Sequence, residues 1–181
     1  MNTNPRMTDH IDGVSLTDLK SWKDDRGEFM EFFRVSNHPE ISNIVQINKS
    51  ISVYGVLRGL HIAHFPKVIH VVKGTVQQIV LDCRTVSPTF GKFISMELCA
   101  RRPQTLVIPA GCGNGFCVLN PQGATYVYGF TSEWTPGCEQ EVNPLDTDLS
   151  IPWRIKDPIL SERDKQAQNF YEVFELQINP T

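Results

Sequence analysis

The chain has 181 residues, enough for one domain with a sizeable core, and its 40% hydrophobic and 20% charged content is ordinary for a globular protein. A formal net charge of -3 argues against nucleic acid as a dominant partner. No apolar run approaches the ~20 residues needed to span a bilayer, the opening MNTNPRMTDH lacks a signal-peptide core, and the five cysteines include no CxxC pair. A cytoplasmic protein with reduced thiols and no membrane partner is expected.

In chain order, residues 1–13 read as a loose leader and residues 14–20 as a short strand. The Lys23–Gly27 segment is a turn by its Asp and Gly content, and Glu28–Arg34 a strand with an aromatic face, broken at Asn37-His38-Pro39. Ile44–Ser52 alternates: Ile47 and Ile51 take one parity, while Gln46, Asn48, Ser50 and Ser52 take the other. A polar face without a single charge fits a row of ligand-facing groups better than a solvent face. Tyr54-Gly55 turns the chain, and Lys73-Gly74 joins strands at 68–72 and 75–83. A turn at Ser87–Gly91 precedes further strands at 93–98, 106–109, 116–119 and 124–131. A short helix is expected from Ser161, whose hydroxyl can cap it ahead of acidic residues. Short strands between Gly/Pro turns, with no earlier helix, linker or repeat, indicate an all-β sandwich or barrel in one domain spanning residues 1–181.

The densest stretch runs Arg58-Gly-Leu-His-Ile-Ala-His-Phe-Pro-Lys67 and closes at Gly74. With Pro109-Ala-Gly-Cys-Gly-Asn114 it resembles the two-part signature of a cupin barrel. Lys67 stands where that signature places a metal-ligating Glu, and Asn114 stands where it places a His. A divalent metal needs imidazole and carboxylate, and an ammonium repels it. The His61, His64 and His70 set lacks a completing carboxylate. No metal and no other cofactor are expected. A polar hole holding His61 and Lys67 suits proton transfer with anion stabilisation instead.

An ordered set of matches from about residue 22 to 164 goes further. Arg26-Gly-Glu-Phe29 with Glu31, Gln46-x-Asn48-x-Ser50-x-Ser52, Val56-Leu-Arg-Gly-Leu-His61, Lys67, Asp82-x-Arg84, Ser87-Pro-Thr-Phe-Gly91, Ile108-Pro-x-Gly111 and Ser161-x-x-Asp164 together resemble the dTDP-4-dehydrorhamnose 3,5-epimerase family. The resemblance implies a cupin-type jelly-roll β barrel with a short C-terminal helix, in a homodimer whose N-terminal strands cross to the partner. It implies an isomerase that inverts C3, C5 or both of a nucleotide-diphospho-4-keto-6-deoxy sugar for surface polysaccharide (lipopolysaccharide) biosynthesis. His61 is cast as the base, Asp164 as the carboxylate that orients it, and Lys67 as the cation near the enolate oxygen. Arg26, Phe29 and Glu31 would reach the nucleotide in the neighbouring subunit, and Gln46, Asn48 and Arg58 the diphosphate and sugar. Asn114 and Trp134 complete the expected substrate contacts. Imidazole is a suitable base at neutral pH, because the ketone both acidifies its neighbouring C–H bonds and takes up the charge.

Three departures stand out. The segment between His61 and Lys67 is short and has Ala63 where family members carry Gln. Asn114 replaces an imidazole. Trp134 ends a Thr-x-x-Tyr motif read as holding the family's acid, and indole cannot give up its proton as a phenol can. Tyr126, Tyr128, Cys112, Cys117 or water remain as sources of the returning proton. A second reading stays open on these grounds: a barrel that binds a nucleotide sugar, has impaired catalysis and acts as a regulatory subunit.

Overall fold

The computed structural model describes residues 6–41 and 43–178, with side chains as far as Phe174. Among them the strands are β1 (Ser15–Asp18), β2 (Ser21–Asp24), β3 (Gly27–Met30), β4 (Gln46–Ser52), β5 (Leu57–Ala63), β6 (Lys67–Lys73), β7 (Thr75–Asp82), β8 (Phe93–Cys99), β9 (Gln104–Ile108), β10 (Cys112–Val118), β11 (Ala124–Phe130) and β12 (Glu139–Glu141). Two helices, α1 (Glu162–Lys165) and α2 (Phe170–Ile178), complete the chain order. One five-stranded sheet has the order β1-β9-β6-β11-β4 and the other β12-β5-β10-β7-β8, while β2 and β3 form a separate ribbon. The architecture is an all-β jelly-roll barrel. Its inner faces meet over Ile69, Val71, Leu106 and Tyr126 from the first sheet and Val76, Val80, Leu98 and Val118 from the second.

Several elements differ from the sequence expectation. Of the expected loose leader, residues 1–5 lie outside the described residues, and the remainder is tied to the barrel. Ile11 is fully buried in the core, Thr8 N–H donates to the Phe93 carbonyl, and Phe93 N–H donates to that of Arg6. The expected strand over 28–34 stops at Met30, because β3 has only β2 to pair with. Beyond it Phe32 stacks on His70, and its carbonyl accepts from Thr105 Oγ1 at 2.6 Å. The strand expected at 116–119 is longer and starts at Cys112, where the run Cys-Gly-Asn-Gly gave no strand signal. The helix does start behind Ser161, whose hydroxyl accepts from Asp164 N–H at 3.1 Å, but it lasts one turn. The longer helix α2 was not expected; Phe170 and Phe174, four apart on one face, seat it against Phe90 and the outer face of the second sheet.

A local irregularity positions the site. Asn114 pairs with His61 and Phe116 with Arg58, so β5 holds one more residue than β10 between these pairs. The bulge puts Arg58 and His61, three apart, on the same inner face, which a regular strand would not. It needs Gly59: at φ +129 and with its missing Cβ pointing 2.5 Å from the Gly115 Cα, no other residue fits.

Candidate active site

Between the two sheets, at the end where the apolar core gives out, lies a cavity of about 300 Å³. Its walls include Gln46, Asn48 and Ser50 from β4, Arg58 and His61 from β5, Lys67 from β6, Asn114 and Phe116 from β10, and Tyr126, Tyr128 and Phe130 from β11. Trp134, Glu139 and Arg163 close the mouth. The uncharged row of β4 faces inward, as its alternation implied. Of the eleven residues singled out in the sequence, Gln46, Asn48, Arg58, His61, Lys67, Asn114 and Trp134 line this space, and Asp164 lies directly behind His61.

His61 Nε2 is 2.8 Å from Asp164 Oδ1, and Asp164 is buried. Burial alone would raise the Asp164 carboxyl, but the hydrogen bond and charge of His61 and the Ser161 hydroxyl outweigh it and hold it below the usual carboxylate range. An ionised Asp164 accepts the Nε2 proton, which leaves Nδ1 as the basic atom for a ligand. No described residue bonds to Nδ1.

Lys67 is not a free ammonium. It is 3% exposed, and its Nζ donates to Glu139 Oε1 at 2.6 Å and to the His61 carbonyl at 3.4 Å, lying 5.4 Å from the Phe130 ring centroid. Burial pulls the lysine down from its ordinary pKa range and the Glu139 carboxylate resists. Trp134 adds its indole N–H to the other Glu139 oxygen at 3.2 Å, and its backbone N–H donates to Gln46 Oε1 at 2.7 Å. Trp134 thus ties β4 of one sheet to β12 of the other across the mouth. Glu139 and Arg163 were missed in the sequence. A buried lysine requires a carboxylate partner, but spacing alone could not choose among the acids of the 133–141 segment.

The cavity also contains a phenol. Tyr128 projects from β11, in the sheet opposite that of His61, and its hydroxyl makes no hydrogen bond to a described residue. Burial pushes this phenol up, the Glu139 charge adds to the shift, and Arg58 opposes it. The other candidate acids are less suited. Tyr126 is buried and commits its hydroxyl to Gln78 at 2.7 Å, while burial drives Cys112 up to about 12 and Cys117 to about 11. The cavity therefore holds a phenol although position 134 carries Trp.

Arg26, Phe29 and Glu31 are not brought into this cavity. Arg26 and Phe29 sit on the β2–β3 ribbon beside Trp22 in a separate open cleft, with Phe29 68% exposed. Arg26 pairs with Asp24, and Glu31 with Arg34. Among the described residues no group of three or more His, Cys, Asp or Glu is placed to hold a metal, and no helix is long and apolar enough to cross a membrane.

The family model for dTDP-4-dehydrorhamnose 3,5-epimerase matches residues 8–172. The chain belongs to this epimerase family. A dTDP-4-dehydrorhamnose 3,5-epimerase of Shigella flexneri is 35% identical over 170 residues, covering 90% of this chain and 93% of that one. Among solved structures, a double mutant of a 3'-monoepimerase from Streptomyces bikiniensis, with one histidine and one tyrosine replaced and dTDP bound, aligns with a TM-score of 0.87 at 32% identity over 94% and 90% of the two chains. A 3,5-epimerase from Legionella pneumophila, solved with dTDP-4-keto-L-rhamnose, gives 0.86 at 31% identity over 96% of each. The epimerase family thus includes both single- and double-inverting relatives.

Proposed function

We propose that the protein is a cofactor-free epimerase of a nucleotide-diphospho-4-keto-6-deoxy sugar, acting in the cytoplasm on a precursor of surface polysaccharide. The observation that carries this reading is a base and an acid on opposite walls of one cavity. His61, oriented by Asp164, projects from one sheet and Tyr128 from the facing sheet. A proton taken by His61 on one face of the sugar and returned by Tyr128 on the other inverts the carbon between them. The negative charge that builds on the ketone oxygen meets Lys67, held in the wall by Glu139. At the far end, Arg58 and the Gln46, Asn48 and Ser50 row suit the diphosphate and sugar hydroxyls.

We further propose a homodimer. The polar parity of β4 faces the cavity, so its other parity faces outward, and Ile47 and Ile51 are 71% and 69% exposed on either side of Lys49 on an edge strand. Two exposed isoleucines on a sheet edge suit a second copy. In such a pair the β2–β3 ribbon would carry Arg26 and Phe29 to the partner's nucleotide, with Glu31 behind them. The impaired, regulatory reading rested on Trp134 and Asn114, and Tyr128 offers an acid in place of the one missing at position 134.

The test is incubation with dTDP-4-dehydro-6-deoxyglucose in D₂O, after exhaustive chelation with EDTA. Deuterium should enter at C3, C5 or both, and epimerised product should accumulate. Binding without exchange would overturn catalysis, and exchange restored only by a divalent ion would overturn the metal-free route.

A further inference from the structure

Behind the cavity wall, Gln78 of β7 is fully buried and its carboxamide orientation is fixed by the backbone. Its Nε2 lies 2.8 Å from the Ile79 carbonyl and 3.0 Å from that of Gly115. Carbonyls only accept, so the group facing them is the NH₂. The same Nε2 is 2.7 Å from the Asn114 carboxamide, and an amide NH₂ has nothing to accept with, so Asn114 turns its oxygen inward. Tyr126, also buried, places its hydroxyl 2.7 Å from Gln78 Oε1 and 3.3 Å from that same Asn114 oxygen. Its one proton goes to the nearer acceptor, Gln78 Oε1, which agrees with the Gln78 NH₂ facing the carbonyls. The Asn114 NH₂ is therefore left on the cavity side, where no described residue accepts from it. Asn114 is the direct cross-strand partner of His61.

We infer that Gln78 is a positioning residue that locks Asn114 as a hydrogen-bond donor toward an oxygen of the sugar beside the carbon that His61 deprotonates. The proposal rests on the epimerase reading and deepens it. At this position the cavity recognises an acceptor, and it does so with a neutral group. A carboxamide has no titration in the range where an imidazole changes charge, so this contact stays a donor at every working pH. A sugar presenting only a donor here would leave two NH or OH groups facing each other and bind worse.

The experiment is a double-mutant cycle on Gln78→Met and Asn114→Ala, with dTDP-4-dehydro-6-deoxyglucose as substrate and thermal melting as the check on folding. Each single change should lower kcat/KM about tenfold, the scale of one lost hydrogen bond to a ligand. The double variant should be no worse than either single one, because Gln78 acts through Asn114. Losses that multiply to about a hundredfold would mean a merely structural Gln78 and overturn the inference. Asn114→Asp, which keeps the shape but cannot donate when ionised, should fall at least as far as Asn114→Ala, and this comparison decides if Gln78→Met does not fold. Tyr126→Phe should cost less than about threefold, since the backbone carbonyls still hold Gln78. If the wild type turns over no substrate, the epimerase reading fails by itself. The cycle is then read on Kd for the same sugar nucleotide by calorimetry, where the same non-additivity supports the lock and additivity rejects it.

Discussion

At the scale of single residues, the proposed mechanism divides one proton transfer into two halves, and substitutions can separate them. His61→Asn removes the proposed base, so deuterium wash-in and epimerisation should both fall by ~10²-fold or more. Tyr128→Phe should behave differently. The base still takes the proton and, once exchanged with solvent, can return deuterium to the same face. Wash-in should then continue within about tenfold of wild type while inverted product falls by ~10²-fold. NMR of recovered substrate and product reads both quantities at once. Inversion unchanged in Tyr128→Phe would remove it as the acid. The same logic explains why Trp134 need not be an acid: its indole N–H is already used, holding the Glu139 carboxylate that pairs with Lys67.

At the scale of elements, the turn after β7 shows how strand ends are fixed. Asp82, fully buried, accepts from Arg84 Nε at 2.8 Å, Arg84 Nη2 at 2.9 Å, Ser87 Oγ at 2.5 Å and Thr89 Oγ1 at 2.6 Å. Burial works to raise its pKa, but these donors win and hold it at about 2. A depressed carboxylate contributes stability that is whole above its ordinary value near 4 and is lost as pH falls toward 2. Asp82→Asn should therefore cost about 2 kcal/mol at neutral pH and flatten the acid side of the stability curve between pH 4 and 2. Urea unfolding at a series of pH values checks both, and an unchanged acid slope would count against the assignment. This turn was legible in the sequence, as were most strands and the Ser161 cap, because turn residues and alternation act locally. The Gly59 bulge, the glycine-masked start of β10 and helix α2 were not legible, since each depends on what packs against it. The same contrast holds in the site. The β4 row and His61 with Asp164 were readable from pattern and resemblance, whereas the Lys67–Glu139 pair and the placement of Tyr128 opposite His61 depend on how the two sheets face each other.

At the scale of the whole molecule, the cavity is built by one chain, but the ribbon expected to serve the nucleotide is not part of it. Arg26 and Phe29 stand apart from His61, and β4 leaves Ile47 and Ile51 exposed on its outer face at the sheet edge. Both facts fit a dimer in which each chain lends its ribbon to the other's site, and complementation can test it. His61→Asn damages the site of its own barrel. Arg26→Ala, if the ribbon crosses, damages the partner's. Mixed by co-expression, half the dimers are hybrids, and in each hybrid both lesions fall on one site and leave the other intact. Activity should return to about a quarter of wild type, although each variant alone is weak. If Arg26 serves its own barrel, every site in the mixture carries a lesion and nothing returns. Ile47→Asp with Ile51→Asp supplies the complementary arm. Two charges on the outer face of β4 should yield a monomer by light scattering, with His61 and Tyr128 undisturbed on the inside but KM for the sugar nucleotide raised. A variant that is monomeric yet binds like wild type would show that the ribbon contributes nothing in trans.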